Sequence, residues 1–303
     1  MIGMKVGTIG FFDGVHKGHR FLLKQVTEEA GSRNATAVAV TFPLHPMAVL
    51  MPDFKPELLT VAEEKVRLLK QSGVDQTILL PFTPQLAGMS ARKFMQEILV
   101  GQLGLDVLVV GYDHRFGKKE AEMTAADEHE LYRQIGRELG LEVMVASQFA
   151  EGGEAVSSSQ IRMSLQRGRI REANSKLGYE YFLNGVVVDG FKIGRTLGFP
   201  TANIRVSPDK LLPADGAYAV RVKVEDGVYE GMLNIGCRPT FQDNADVRSV
   251  EVHLLDFHDD IYSEQIHVSF VDWLRPELRF DNTEELCSQL EKDLKATKEI
   301  FSC

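Results

Sequence analysis

Cysteine is scarce in this chain, and the three present, Cys237, Cys287 and Cys303, show neither a CxxC pair nor zinc spacing. That excludes a disulfide framework and a cysteine-built metal centre. The odd count suits a reducing compartment, so the expected location is the cytoplasm. No apolar run is long enough to cross a bilayer, and the N-terminus enters a strand and a glycine loop with no signal-peptide layout, so no membrane partner is expected. Basic residues are in deficit, with 34 Lys and Arg against 43 Asp and Glu and a net charge of −9. This argues against general nucleic-acid binding, but not against an anionic nucleotide, for which local groups decide. Internal repeats and low-complexity tracts are missing too. What remains, 44% hydrophobic and 25% charged over 303 residues, suits two globular domains of ordinary size.

The most informative stretch is Gly7 to Arg20, GTIGFFDGVHKGHR. An apolar run, Val6 to Ile9, leads into glycines at 10, 14 and 18, and a segment apolar on one helical face follows from Phe21, so the pattern predicts strand, tight loop, helix. Glycines let backbone approach phosphates closely, and a helix start offers free N–H groups and a positive dipole end. His16 and His19, one turn apart, can both donate hydrogen bonds to a phosphate whose charge grows during reaction. No residue here reads as a covalent nucleophile, so the implied chemistry is positioning and charge stabilisation around an α-phosphate. The competing reading is a glycine-rich turn with incidental histidines.

The segment resembles the HxGH signature of the nucleotidyltransferase superfamily, and its GxFDGxHxGH form is similar to the bacterial FAD synthetases. The resemblance implies ATP binding by Gly10, Phe12, Asp13 and Gly18, and transfer of AMP to FMN assisted by His16 and His19.

Up to about residue 178, near-continuous apolar strands alternate with amphipathic helices, which predicts a parallel sheet covered on both faces. Strands are expected at Ala35–Phe42, Thr77–Leu80, Asp106–Val110 and Leu141–Ala146. Helices are expected from a Thr60-x-x-Glu63 capping box to Gln71, over Ser90–Leu103 closed by Gly104, and over Ala125–Leu139. Ligands of such sheets bind beyond the carboxyl ends of the strands. Three further loops lie there. Thr41 to Pro46 is a rigid turn whose His45 is either a surface residue or a substrate contact. The resembled family usually carries Asp-Pro at Pro43-Leu44. Gly111 to Gly117 mixes acid, bases and aromatics suited to a flavin or adenine ring, or is a plain loop. Its family form implies FMN contacts by Asp113 and Phe116, with His114 a departure from Phe. Val156 to Arg162 places three hydroxyls and an arginine at a helix start, a good anion clamp that also serves as an N-cap. It resembles the family's ISSTxxR motif, which implies ATP binding by Ser157, Ser158 and Ser159 and a catalytic Arg162. The preceding Glu151 to Glu154 reads as a loop able to close over substrate.

Beyond about residue 179 the texture changes to runs rich in Val, Ile and Tyr, with strands expected near Leu183–Val188, Gly216–Val224, Val228–Ile235, Ser249–Asp256 and Gln265–Asp272. Glu225-Asp226-Gly227 marks a hairpin, and a terminal helix begins near Asn282. Antiparallel strands with one closing helix predict a small β-barrel. The glycine loop from Gly194 to Asn203 ends in Pro-Thr-Ala-Asn. A hydroxyl and an amide oxygen two residues apart can both ligate Mg²⁺, although a simple turn would use the same residues. It resembles the GFPTAN motif of riboflavin kinases, implying ATP binding by Gly194, Gly198, Pro200, Thr201 and Asn203, with Thr201 and Asn203 on the metal. On the strand around Ser249 to Leu254, Glu251 and His253 share the face opposite Val250 and Val252. The resemblance assigns Glu251 the part of base on the 5′-hydroxyl of riboflavin. Arg275-Pro276-Glu277 to Phe280 and Arg238 to Phe241 fit the same family as pocket-shaping segments, and Trp273 reads as packing.

The expectation is therefore an α/β chain. A parallel-sheet, Rossmann-like nucleotidyltransferase domain, 1–178, precedes a small antiparallel β-barrel kinase domain with a C-terminal helix, 179–303. It would convert riboflavin to FMN and FMN to FAD with ATP and Mg²⁺. One rival is a kinase whose first domain has lost adenylyl transfer, motivated by Pro43, Leu44 and His114. The other is a non-catalytic flavin- or nucleotide-binding protein.

Overall fold

A computed structural model describes residues 3–51, 53–112, 114–117, 124–149, 155–190, 197–225, 227–237 and 248–302. Asp113 and Gly194, and the stretches 151–154 and 238–241 singled out above, lie outside the described residues. Contacts divide the chain into two compact units, Met1–Ser158 and Ser159–Cys303.

The first unit is built on five parallel strands, β1 (Lys5–Ile9), β2 (Thr36–Thr41), β3 (Gln76–Leu79), β4 (Val107–Val110) and β5 (Glu142–Val145), in the order β3-β2-β1-β4-β5. The order reverses between β1 and β4, so the loops after these two strands flank the crevice where such sheets take ligands. β1, β2 and β4 are almost wholly buried, which is why they read as unbroken apolar runs.

Helices α1 (Lys17–Ser32), α2 (Pro46–Leu50), α3 (Ala62–Gln71), α4 (Pro84–Ala87), α5 (Ala91–Phe94) and α6 (Ala125–Leu139) connect the strands. The clearest of them is α6. Thr124 and Asp127 form a reciprocal cap at its start, and Gly140 at φ 73° ends it. The helix expected over Ser90–Leu103 does start at the Ser90 cap, but from Met95 to Gln102 it winds as a π-helix, with Leu103 N bonded to Ile98 O. Of the capping box expected at Thr60 and Glu63 only the returning carboxylate is present, one residue later. Glu64 reaches back to the Val61 N–H at 3.0 Å, because the Thr60 hydroxyl is bonded to the loop after β1 instead.

The second unit is a closed six-stranded antiparallel barrel. Its strands are β6 (Phe182–Val188), β7 (Ala202–Val206), β8 (Gly216–Val224), β9 (Gly227–Cys237), β10 (Arg248–Leu254) and β11 (Gln265–Pro276), in the order β10-β7-β6-β11-β8-β9. β7 was expected as the tail of a glycine loop. It is a strand, pairing with β6 and β10 to close the barrel. β8 and β9 pair with Val224 opposite Gly227, next to the expected turn residues, of which Asp226 lies outside the described residues.

Two helices before the barrel, α7 (Ser158–Gln166) and α8 (Ile170–Leu177), lean on it. Ala214 N donates to Leu165 O at 3.0 Å, Asn174 Nδ2 donates to Phe270 O at 2.9 Å, and Arg171 pairs with Asp272 at 2.7 Å. Their contacts therefore group them with the barrel, although the composition changes only at about residue 179. Trp273 packs where a side chain on Gly168 would lie, 2.6 Å from the indole. The terminal helix α9 (Thr283–Ser302) covers β8, β9 and β11.

Candidate active sites

In the first unit the chain leaves β1 at Gly10, whose N–H donates to Val40 O at 3.0 Å. It then passes through left-handed backbone at Phe12 (φ 52°), Gly14 (φ 78°) and Val15 (φ 37°). That conformation is unfavourable for a β-branched residue and persists only where its surroundings over-determine it. Here Val15 is fully buried. The Asp13 carboxylate accepts from Leu59 N at 3.0 Å, from Thr60 N at 2.9 Å and from the Thr60 hydroxyl at 3.3 Å. Gly14 N in turn donates to that hydroxyl at 3.0 Å. Asp13 thus clamps the strained loop onto the start of α3.

His16 is the N-cap of α1. Its Nδ1 accepts from His19 N at 3.3 Å, so a neutral His16 carries its proton on Nε2. The two imidazoles stack at 3.7 Å and 18°. The buried Phe12 ring stands edge-on to His19 at 5.3 Å. Nδ1 of His19 is buried without a hydrogen-bond partner. Burial first, then the charges of His16, His114 and Lys65, hold its pKa well below the ordinary 6.5. The ring is therefore neutral near pH 7. Gly18 fits beneath this pair because it has no side chain, since a Cβ there would lie 3.2 Å from the His16 ring. Ser158 Oγ donates to Asp13 O at 2.9 Å, which brings the start of α7 to the loop. Ser157 is half-buried and Ser159 exposed, while Arg162 is half-buried on α7, four residues from Ser158 and on the same helical face.

The structure thus gathers Gly10, Phe12, Asp13, His16, Gly18, His19 and Ser158 at one loop. Phe116 is placed differently. It stacks on Tyr132 at 4.2 Å and exchanges backbone hydrogen bonds with the Tyr132 hydroxyl, which ties it to the core. His45 packs edge-on to Phe11 at 4.7 Å. His114, noted in the sequence as standing where the resembled family has Phe, and Lys65 both act on His19. Lys65 escaped sequence reading and carried no signal.

In the second unit, Asn203 on β7 stands opposite Glu251 on β10, and the Thr201 hydroxyl donates to Glu251 Oε2 at 3.3 Å. Gly198, at φ 81°, turns the chain just before Pro200. His253, one residue beyond Val252 on the Glu251 face, bonds through Nδ1 to Pro200 O at 2.7 Å. A carbonyl only accepts, so Nδ1 carries the proton. Thr201 stands on the rim of two cavities. One, of about 320 Å³, is lined by Pro200, Ala202, Phe257, Asp260 and Tyr262 among others. The other, of about 250 Å³, is lined by Phe199, Met232, Asn234, Glu251, His253, Arg275 and Leu278 among others. A bidentate ion pair supports the second. Arg275 Nε lies 2.9 Å and Nη2 2.8 Å from Asp293 Oδ2 on α9, and Asp293 is 5% exposed. The acid interrupts the Leu290–Leu294 apolar face, a signal in the sequence that marks it.

Thr201 Oγ1 and the Asn203 amide oxygen are hard oxygen donors beside Glu251, a pair that fits Mg²⁺ carried on a triphosphate. Among the described residues no group of three or more His, Cys, Asp or Glu could hold a metal. Nor, among them, is any helix long and apolar enough to cross a membrane.

Known proteins carry both halves. The FAD synthetase family model matches residues 3–160, and the riboflavin kinase family model matches residues 177–301. A bifunctional riboflavin kinase/FMN adenylyltransferase of Listeria monocytogenes is 39% identical over 98% of this chain and 93% of its own length. One of Bacillus subtilis is 34% identical over 98% and 92%. A crystal structure of a macrolide-efflux protein from Streptococcus pneumoniae superposes with a TM-score of 0.86 at 30% identity, covering 97% of this chain and 94% of that one. Because both halves match, the single-activity alternative is not favoured. The chain belongs to the family of bifunctional riboflavin kinase/FMN adenylyltransferases.

Proposed function

We propose that this riboflavin kinase and FMN adenylyltransferase runs its two reactions at separate sites, each with its own ATP. The observation that carries this is the pair of distinct polar constellations, His16–His19 in one unit and Thr201–Asn203–Glu251 in the other.

At the kinase site, the Glu251 carboxylate takes the proton of the primary hydroxyl of riboflavin as its oxygen attacks the γ-phosphorus and ADP departs. Thr201 orients the carboxylate through its hydroxyl. Thr201 and Asn203 would hold Mg²⁺, which when bound neutralises phosphate charge. Gly194, Gly198 and Pro200 shape the loop around the phosphates. Thr201 is shared by both cavities, which supports one as the nucleotide pocket and the other, holding Glu251, as the riboflavin pocket.

At the adenylyltransferase site, a phosphate oxygen of FMN attacks the α-phosphorus of ATP and pyrophosphate leaves. His16 and His19 donate hydrogen bonds to the charge that develops on the α-phosphate, His19 as a neutral ring that keeps its proton. Gly10 and Gly18 admit the phosphates, Phe12 backs His19, and Asp13 holds the loop in shape. Ser157, Ser158, Ser159 and Arg162 clamp the phosphates from the start of α7, and Asp113 serves the flavin side, while Phe116, tied to Tyr132, supports its loop from the core. On this reading the adenylyltransferase segment runs to about residue 178 and the kinase occupies 179–303. The odd cysteine count without a disulfide framework supports a cytoplasmic location.

The test is product analysis with riboflavin, ATP and Mg²⁺. Successive appearance of FMN and FAD supports the reading, and FMN accumulating without FAD contradicts it.

A further inference from the structure

Lys65, on α3, is 1% exposed. Lysine is almost never buried to that degree without an acidic partner, and among the described ion pairs Lys65 takes part in none. Its ammonium donates to Phe42 O at 2.7 Å and sits 3.9 Å above the centre of the Phe11 ring. Phe11 belongs to the loop after β1 that leads into His16 and, on α1, His19, and Phe42 directly follows β2. Thr41 joins the same two segments, its hydroxyl donating to Phe11 O at 3.1 Å. An apolar side chain would fill this space without the cost of desolvating a charge.

The charged and titratable groups around the ammonium come from several elements. Asp13 attracts it from the loop after β1. His19 on α1 feels its charge, as it does those of His16 and of His114 after β4. His45 lies against Phe11, and Glu64 on α3 itself is engaged with Val61 N.

We propose that Lys65 is a positioning residue of the adenylyl-transfer site: its buried ammonium joins the histidine loop to the segment after β2 and supplies a fixed positive potential beside His19. The inference rests on the first unit being the adenylyltransferase. The potential works in two ways. It adds to burial and to the charges of His16 and His114, the larger causes, in keeping His19 neutral, so that this ring donates a hydrogen bond without carrying charge of its own. It also adds attraction for a developing phosphate oxyanion from a group that needs no reorganisation during reaction.

Burial pulls the ammonium down to about 8, with Asp13 opposing. The charge is therefore present below that pH and lost above it. The rate constant kcat for FMN adenylylation should fall through an alkaline limb near pH 8, while riboflavin phosphorylation by the same molecule shows no such limb. Lys65→Arg keeps a permanent charge and should remove the limb. Lys65→Met should lower kcat by about 10- to 100-fold below pH 8 and flatten the profile, with KM for FMN within about threefold of the parent. A merely structural lysine would lower activity equally at all pH values and leave the limb in place. Circular dichroism and the retained kinase activity report on folding. If a variant fails to fold, the parent still decides: a profile flat from about pH 7 to about pH 9.5 overturns the proposal, as does a limb unchanged in folded Lys65→Arg. A parent that makes no FAD at any pH refutes the adenylyltransferase reading instead.

Discussion

Replacing Gly190 by Ala places a methyl group against a proposed metal ligand without touching the ligand itself. A Cβ at 190 would lie 2.6 Å from Cγ of Asn203 and closer still to its Nδ2, inside any distance real carbon atoms tolerate. The Asn203 backbone cannot move aside, since β7 is paired at this residue with Val188 on one side and Glu251 on the other. The amide must therefore rotate away by about 1 Å or more, a misplacement that typically costs about 100-fold in rate. The backbone at Gly190 does not need left-handed geometry, so the stability cost is that of local overpacking, about 1–3 kcal/mol. Coupled assay of riboflavin phosphorylation at saturating ATP and Mg²⁺ should show the loss, with FMN adenylylation kept within about twofold as the internal control. Riboflavin phosphorylation within about threefold of the parent would refute the placement of Asn203 at the reacting phosphates.

Asp13→Ala leaves Leu59 N and Thr60 N without their acceptor and frees a strained loop. A loss of about 3 kcal/mol or more in urea unfolding of the first unit is expected, together with loss of FAD formation, whereas an unchanged midpoint would show the clamp to be dispensable. Asp293→Ala leaves the half-buried Arg275 guanidinium without its carboxylate and removes a wall of the Glu251 cavity. It should raise KM for riboflavin by about tenfold with little change in the adenylyltransferase, and an unaltered KM would contradict that wall. His19 has a pKa depressed in the folded chain, so the unfolded chain binds more protons below the ordinary 6.5 and stability falls as pH drops through that range. His19→Gln should flatten this acid slope in thermal melts recorded between about pH 7 and about pH 5, and an identical slope would show that His19 is not held neutral.

The α/β alternation, the barrel and the terminal helix were legible because their signals are local. α6 carries its own cap at Thr124, its own amphipathic face and its own stop at Gly140. The histidine loop was legible because few other arrangements need glycines and paired imidazoles between a strand and a helix. What stayed hidden depends on partners distant in sequence. β7 runs straight out of the glycine loop with no turn to mark its start, and it is a strand because β6 and β10 flank it. Thr60 reads as a helix cap until the loop after β1 claims its hydroxyl. Lys65 has no local signal, and only the folding of Phe11 and Phe42 around it buries the charge. Arg275 was noticed as part of a motif, but its partner lies on α9.

The central claim is that one chain holds two independent ATP-dependent sites. The most direct measurement follows riboflavin, FMN and FAD over time by chromatography in folded His19→Ala and Glu251→Gln, each supplied first with riboflavin and then with FMN. The account predicts that His19→Ala makes FMN but no FAD from either substrate, and that Glu251→Gln turns added FMN into FAD but leaves riboflavin untouched. A single substitution that stops both reactions, or neither, would contradict it.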